Sequence, residues 1–273
     1  MIVPQDDVSA FREKIWNYYR EYGRYFPWRD TEDPYSIFVS ELMLQQTQTE
    51  RVLKKYEPFI EEFRGYAALA AAPLSRVLEM WSGLGYNRRA LGLKQSAEII
   101  HSRYHDCLPS STEQLLGLPM IGPATAGSLQ AFVYNLPSVF IETNIRRVII
   151  HHFFHGAEQV RDNEVLRYVE AVLDRSAPRQ WYYALMDYGV HLKFSIPNPN
   201  RRSAHYQKQA PFEDSNRQIR GQLLSLLLRE KKMPGADIMK ALKRFERDRI
   251  EECLQQLESE GFLSAEKEIY RIR

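Results

Sequence analysis

Cysteine is scarce in this chain. Its 273 residues hold two, Cys107 and Cys253, which make no CxxC pair and are too few for a four-thiolate cluster. They are expected to be reduced and structural, since a disulfide is out of place in a reducing compartment. Long apolar runs are also missing, and nothing approaches the roughly 18 to 20 residues that a membrane helix needs. The opening, Met1-Ile2-Val3-Pro4-Gln5-Asp6-Asp7, is acidic and lacks the basic and apolar regions of a signal peptide. A cytoplasmic, nucleoid-associated location follows as the expectation. Charge of one sign is absent overall, because the net charge is +2. That total neither excludes nor requires a nucleic-acid partner, since a balanced sum can hide a basic face. Acids are missing from one stretch in particular. Between Tyr188 and Phe212 there is none, while Lys193, Arg201, Arg202 and Lys208 are basic.

What is present is the composition of a globular protein, 44% hydrophobic and 26% charged, so a substantial core can form. The length allows one large domain or two or three small ones. Apolar residues recur at helical spacing almost throughout, beginning with Phe11, Ile15, Tyr18, Tyr19 and Tyr22 in a helix over 8–22. Further helices are predicted over 35–53, 56–63, 73–81, 88–104, 111–117, 122–134, 143–154, 163–177 and 180–189, joined by short connections as in a compact all-helical domain. Pro197, Asn198, Pro199 and Asn200 then exclude helix from the centre of a basic connector. Three more helices fit 217–229, 235–244 and 247–260. After Gly261, Phe262-Leu263 and Ile269-Tyr270-Arg271-Ile272 look like a two-stranded ribbon, which makes residues 214–273 winged-helix-like. The chain therefore divides into 1–190, a connector 191–213 and a module 214–273.

Three features carry chemistry. Leu118-Pro119-Met120-Ile121-Gly122-Pro123-Ala124-Thr125-Ala126-Gly127 lies between two predicted helices. Gly122 is able to take positive φ there and bring backbone close to a ligand. The following helix presents N–H groups and the positive end of its dipole, an arrangement suited to a DNA phosphate. An ordinary helix–helix turn is the alternative. Glu142 stands at the start of a helix, where negative charge is stabilised, or where it simply caps the helix. Glu41 is the one acid between Asp33 and Glu50. Buried in an apolar and amide-rich helix, it would have a raised pKa and serve as a proton donor; the alternative is an exposed helix residue.

The blocks Pro27-Trp28-Arg29, Pro34-Tyr35, Ser40-Glu41-Leu42-Met43-Leu44-Gln45-Gln46-Thr47-Gln48, Trp81-Ser82-Gly83-Leu84-Gly85-Tyr86, the hairpin at 118–127, Glu142-Thr143-Asn144-Ile145-Arg146-Arg147-Val148 and Met186-Asp187-Tyr188-Gly189 together resemble the helix-hairpin-helix DNA glycosylase superfamily, and within it the MutY-like adenine glycosylases. The resemblance spans roughly residues 25–190. It implies an all-α two-lobed fold with duplex DNA in the cleft between lobes, and a nucleotide rotated out of the stack before its base is cut from the sugar. It implies that Glu41 protonates the departing purine and helps position water, and that Glu142 steadies the positive charge developing on deoxyribose. The division of labour parallels the two carboxyl groups of glycoside hydrolysis. Gln46 and Tyr86 are similar to residues that wedge into the stack, and Trp28 and Arg29 lie where the family builds its base pocket. Gly122, Thr125, Arg201, Arg202 and Lys208 are the other expected DNA contacts.

The departures are also informative. The second carboxylate is normally aspartate, one methylene shorter than Glu142. The position that carries lysine in the superfamily's lyases is Ala124, which forms no Schiff base, so a monofunctional glycosylase is expected. The cysteines of the family's iron–sulfur cluster are missing near Lys193, Asn200 and Ser203. No cofactor and no metal are therefore expected, His151, His152 and His155 being read as packing or surface residues. Residues 214–273 are too short for the domain with which such enzymes recognise 8-oxoguanine. The expectation is a monomeric enzyme that removes adenine opposite guanine or 8-oxoguanine. The alternatives are removal of a mispaired thymine or modified purine, and a non-catalytic DNA-binding protein.

Overall fold

The computed structural model describes residues 5–208 and 211–273. Met1–Pro4 of the acidic opening, and Gln209 and Ala210 of the basic connector, lie outside the described residues. The helices are α1 Gln5–Tyr22, α2 Pro34–Leu44, α3 Thr49–Glu62, α4 Tyr66–Ala71, α5 Leu74–Trp81, α6 Arg88–Tyr104, α7 Thr112–Leu116, α8 Pro123–Tyr134, α9 Thr143–Phe153, α10 Asp162–Val172, α11 Pro178–Ser195, α12 Asn216–Glu230, α13 Gly235–Ala241 and α14 Arg247–Ser259. Three short strands accompany the last helices, β1 Lys232–Pro234, β2 Leu263–Glu266 and β3 Ile269–Ile272.

Two compact units result. One is Met1–Glu41 with Pro109–Lys208, and the other is Leu42–Leu108 with Gln209–Arg273. The division falls inside α2, between Glu41 and Leu42. In the first unit α1 buries Val8, Phe11 and Ile15, one helical stripe, against α9, α10 and α11. Phe11 packs edge-on to Trp181 at 6.1 Å and tilted against Phe153 at 5.0 Å. Each fully buried side chain of this kind contributes about 1.5–3 kcal/mol, more than helix propensity supplies over the same turns.

In the second unit α4 and α5 pack on α6, around Phe59, Leu69, Val77, Trp81 and Leu93. The C-terminal part is winged-helix-like, as its pattern suggests, with one more strand than the sequence indicates. β3 is central and antiparallel to both β1 and β2. Strand β1 is three residues long and ends in Pro234, which cannot donate to a ladder, so its pattern carries no alternation to read. Lys267 and Glu268, at φ 49° and 60°, make the tight turn of the wing.

The helix predicted over 35–53 is two helices. The chain breaks between Leu44 and Thr49, with Gln46 left-handed at φ 54°. No glycine or proline marks that break. At the other extreme, α11 runs six residues beyond its predicted end at Gly189, to Ser195.

Candidate active site

Helix α8 carries the hairpin. The turn before it holds its left-handed backbone at Met120, φ 64°. Gly122 is extended, at φ −96° and ψ 177°, which corrects the expectation of positive φ there. Its carbonyl accepts from Ala126 N at 2.9 Å and opens the helix. Gly122 matters instead for its openness, since a Cβ there would meet nothing within 4 Å. Thr125 is half-buried in the first turn, and Ala124 is exposed.

One turn further, the Ser128 hydroxyl donates to Glu41 Oε2 at 2.5 Å, and its oxygen also lies 3.0 Å from the Thr125 carbonyl, the alternative acceptor for its one proton. Glu41 keeps some solvent contact, yet protein surrounds its carboxyl. Burial is the foremost cause that pushes its pKa up to about 7. The Ser128 hydrogen bond pulls it down, the nearby Glu142 carboxylate pushes it up, and Arg29 pulls it down. A pKa pushed up toward neutrality lets the carboxyl hold a proton where an ordinary glutamate has lost it, which suits a general acid.

Glu142 stands at the N-cap of α9. Its Oε1 accepts from the backbone N–H groups of Asn144 and Ile145, both at 2.7 Å, and Oε2 from Asn144 Nδ2 at 3.3 Å. Glutamate is one methylene longer than the usual capping aspartate, but it reaches the same orphan donors. Burial raises its pKa, while the two amides and then Arg147 and Arg146 oppose the rise. Arg147, itself buried, donates from Nη1 to Asn144 Oδ1 at 2.6 Å and to the Gly189 carbonyl at 2.8 Å, tying α9 to α11. Gly189 permits this approach, because a Cβ there would lie 2.6 Å from the Asn144 carbonyl oxygen. The first unit thus brings Glu41, Ser128 and Glu142 together, with the two acids held by different partners.

The side chain of Arg29, 8% exposed, lies close enough to act on the Glu41 carboxyl. It donates from both terminal nitrogens to Asp187, at 2.9 and 3.0 Å, and lies over the ring of Tyr183 at 4.5 Å. Asp187 also accepts from the Arg24 backbone N–H and Nε, both at 2.8 Å. A cavity of about 390 Å³ opens on this side, lined by Tyr19, Arg24, Arg29, Arg179 and Tyr183 among others. Glu41 and Glu142 do not line it. Burial, and then the charge of Glu41, raise the pKa of Tyr183, so its hydroxyl keeps its proton. Trp28 is 4% exposed and stacks on Phe26 at 5.1 Å, with an interplanar angle of 5°. Its ring is packed in the protein rather than presented to the cavity.

In the second unit Gln46 and Tyr86 are both exposed, and both have left-handed backbone, at φ 54° and 49°. For residues with a Cβ this costs about 1–2 kcal/mol each. Arg89 holds the two segments. From Nη1 it donates to the Leu42 and Met43 carbonyls, both at 2.7 Å. From Nη2 it donates to Thr47 Oγ1 at 2.8 Å, Gly85 O at 2.9 Å and Leu84 O at 3.3 Å. Its guanidinium also lies 5.2 Å from the Trp81 ring centroid and 5.6 Å from that of Tyr86. Burial pulls its pKa down to about 10.

A family model for HhH-GPD superfamily base excision DNA repair proteins matches residues 39–175. The chain belongs to the HhH-GPD superfamily. It is 32% identical over 238 residues to an adenine DNA glycosylase of Mycolicibacterium smegmatis, with 81% of each chain covered. It is 34% identical over 183 residues to an adenine DNA glycosylase of Buchnera aphidicola, covering 66% of this chain and about half, 52%, of that relative. Among solved structures a thermostable thymine-DNA glycosylase superposes with a TM-score of 0.60 at 23% identity, over 67% of this chain and 86% of that one, a likeness of fold.

The iron–sulfur cluster found in members of the superfamily does not fit this chain. Its two cysteines are an exposed thiol at 107 and a buried one at 253, and the segment after α11 contains none. Hydrogen bonds hold that segment. Asn200 Nδ2 donates to the Thr143 carbonyl at 3.0 Å. Val160 N donates to the Arg202 carbonyl at 2.8 Å, and Ala204 N to the Val160 carbonyl at 2.9 Å. The guanidinium of Arg202 donates to the Phe154 carbonyl, and to the Ile150 carbonyl at 3.1 Å. Arg202 thereby neutralises the C-terminal end of α9. Arg201 and Lys208 are exposed. His152 is packed against Phe11 and Tyr188, with burial pulling its pKa down to about 4. Among the described residues no group of three or more metal-ligating side chains stands where it can hold a metal ion.

Sequence reasoning missed Arg89, Ser128, Arg147 and the role of Asp187. Two of these leave a signal. Arg89 occupies the same stripe of α6 as buried Leu93, Ala97 and Ile100, and Asp187 is the sole acid in buried α11. A charge on an apolar stripe announces a buried partner.

Proposed function

We propose that this chain is a monofunctional DNA glycosylase that extrudes and excises a mispaired base from duplex DNA, with adenine opposite guanine or 8-oxoguanine as substrate. The observation that carries the reading is the pair of acids in one unit. Glu41 has its pKa pushed to about 7, and Glu142 is fixed by two backbone amides. Protonated Glu41 gives its proton to the departing base as the glycosidic bond breaks. Ionised Glu142 stabilises the sugar cation. Water then adds at the anomeric carbon and gives its proton to the Glu41 carboxylate, which restores the acid and leaves the free base and an abasic site. Ala124 supplies no amine for a Schiff base, which supports a reaction that ends at the abasic site. Adenine is favoured because the relatives of Mycolicibacterium smegmatis and Buchnera aphidicola are adenine DNA glycosylases. Gln46 and Tyr86 act as wedges that fill the space left by the flipped nucleotide.

A single-turnover assay on a panel of mismatched and damaged duplexes tests this. Adenine opposite guanine or 8-oxoguanine is expected to be removed, with strand cleavage only after alkali and no borohydride-trapped adduct. Glu41→Gln and Glu142→Gln are each expected to abolish excision. Variants that cleave the best substrate as fast as wild type would refute the catalytic roles.

A further inference from the structure

The winged-helix-like module lies outside the matched region 39–175, and no function follows from its membership of the chain. A winged helix that reads DNA does so through the third helix of the module, here α14. That helix is badly suited to a phosphate backbone. It carries Asp248, Glu251, Glu252 and Glu258, and Arg247 and Arg249 are spent on Glu251 at 2.9 Å and on Asp214 at 3.3 Å. Carboxylates repel the polyanion that a DNA-binding face must attract.

The opposite end of the module is different. Within the second unit, Glu260 at the end of α14 binds Arg88 at the start of α6, and Arg220 of α12 at 2.6 Å. Lys231 binds Glu79 of α5 at 3.3 Å. These pairs fix the module to the two helices that flank the loop of Tyr86. The first turn of α12 then places Arg217 beside that loop, where Nη1 donates to the Tyr86 hydroxyl at 3.4 Å. The other terminal nitrogen of Arg217, Nη2, donates to the Pro211 carbonyl at 3.3 Å, and these two partners of the guanidinium are both neutral. The arginine thus stands beside an exposed aromatic ring, with Tyr86 38% and Phe212 60% exposed. Guanidinium with aromatic faces suits unstacked nucleic acid.

We infer that the module contacts DNA through Arg217 and not through α14, and that Arg217 grips a backbone phosphate next to the base step that Tyr86 enters. The inference rests on the wedge role of Tyr86 proposed above. It gives the module a second purpose besides bracing the loop. A planar guanidinium donates two parallel hydrogen bonds to one phosphate, so the contact fixes the strand at the point where the stack opens.

The test is binding of the full chain to a duplex with a stable abasic-site analogue opposite guanine, over a series of salt concentrations. Arg217→Ala is expected to weaken binding about tenfold and to flatten the dependence of log affinity on log salt by about one. Arg217→Lys, which keeps the charge but not the paired donors, should restore the salt dependence and recover only part of the affinity. One neutral methylphosphonate flanking the opened step should weaken wild type by a similar factor and leave Arg217→Ala unaffected. Gln255→Ala, on the exposed face of α14, should bind within twofold of wild type. Unchanged affinity and slope for Arg217→Ala, or loss of binding in Gln255→Ala instead, would overturn the inference. The wild-type excision assay separates this from failure of the reading beneath it. A chain that excises its base normally while Arg217→Ala binds like wild type refutes the phosphate contact alone, whereas a chain that excises no base refutes the glycosylase.

Discussion

Replacing Glu41 by glutamine removes one proton-binding site and keeps the shape of the side chain. The acid in the folded chain titrates near 7, against 4.5 for an unperturbed glutamate. Two and a half pKa units correspond to about 3 kcal/mol at 1.36 kcal/mol per unit. The native state binds this proton more tightly than the unfolded chain does. The stability it confers is therefore present below pH 4.5 and is lost as pH rises through about 7. Glutamine has no such term. Glu41→Gln is expected to gain about 2–3 kcal/mol over wild type on going from pH 5 to pH 8, with little difference at the acid end. Urea unfolding at the two pH values measures it. The wild-type single-turnover rate should fall about tenfold per unit above pH 7, as the protonated acid is titrated away. Its acid limb reports Glu142, and the two apparent values belong to the coupled pair. An equal stability difference at pH 5 and pH 8, or a rate flat to pH 9, would show that burial does not hold the proton on Glu41, and the general-acid assignment would fall.

Two further substitutions probe the scaffold. Asp187→Asn leaves the guanidinium of Arg29, 8% exposed, without its counter-charge, and breaking such a buried pair costs about 3–5 kcal/mol, to be read from the urea midpoint. Arg89→Lys keeps a charge but cannot span four carbonyls and a hydroxyl. Misplacement of Gln46 and Tyr86 by about 1 Å is expected to slow excision on the order of 100-fold, with a matching loss of extrusion read by 2-aminopurine fluorescence beside the target. Unaltered extrusion in a folded variant would remove Arg89 from that role.

The helices were legible where one face is apolar. The bounds 88–104 read from periodicity coincide with α6, because the apolar stripe runs its whole length. The break after Leu44 was illegible, since Gln45-Gln46-Thr47 holds neither glycine nor proline. Its cause is tertiary, a guanidinium from α6 collecting the terminal carbonyls of α2. Glu41 stood out as a lone acid in an apolar and amide-rich helix, whereas Glu142 read equally as a helix cap until the resemblance gave it a role. The supports of the site were not legible, because Asp187 lies 158 residues from Arg29 and Ser128 lies 87 from Glu41. No local pattern encodes such pairings. The left-handed residue of the hairpin was assigned to the glycine by propensity, but the turn places it at Met120.

Position 189 has no chemistry of its own, yet it sets how near α11 comes to Asn144, the second residue after the cap of α9. Any methyl group there would strike the Asn144 backbone at 2.6 Å and lever Glu142 off its two amides. A substitution at Gly189 would thus disturb the seat of Glu142 from the neighbouring helix, while looking, from the sequence alone, like the mildest of changes.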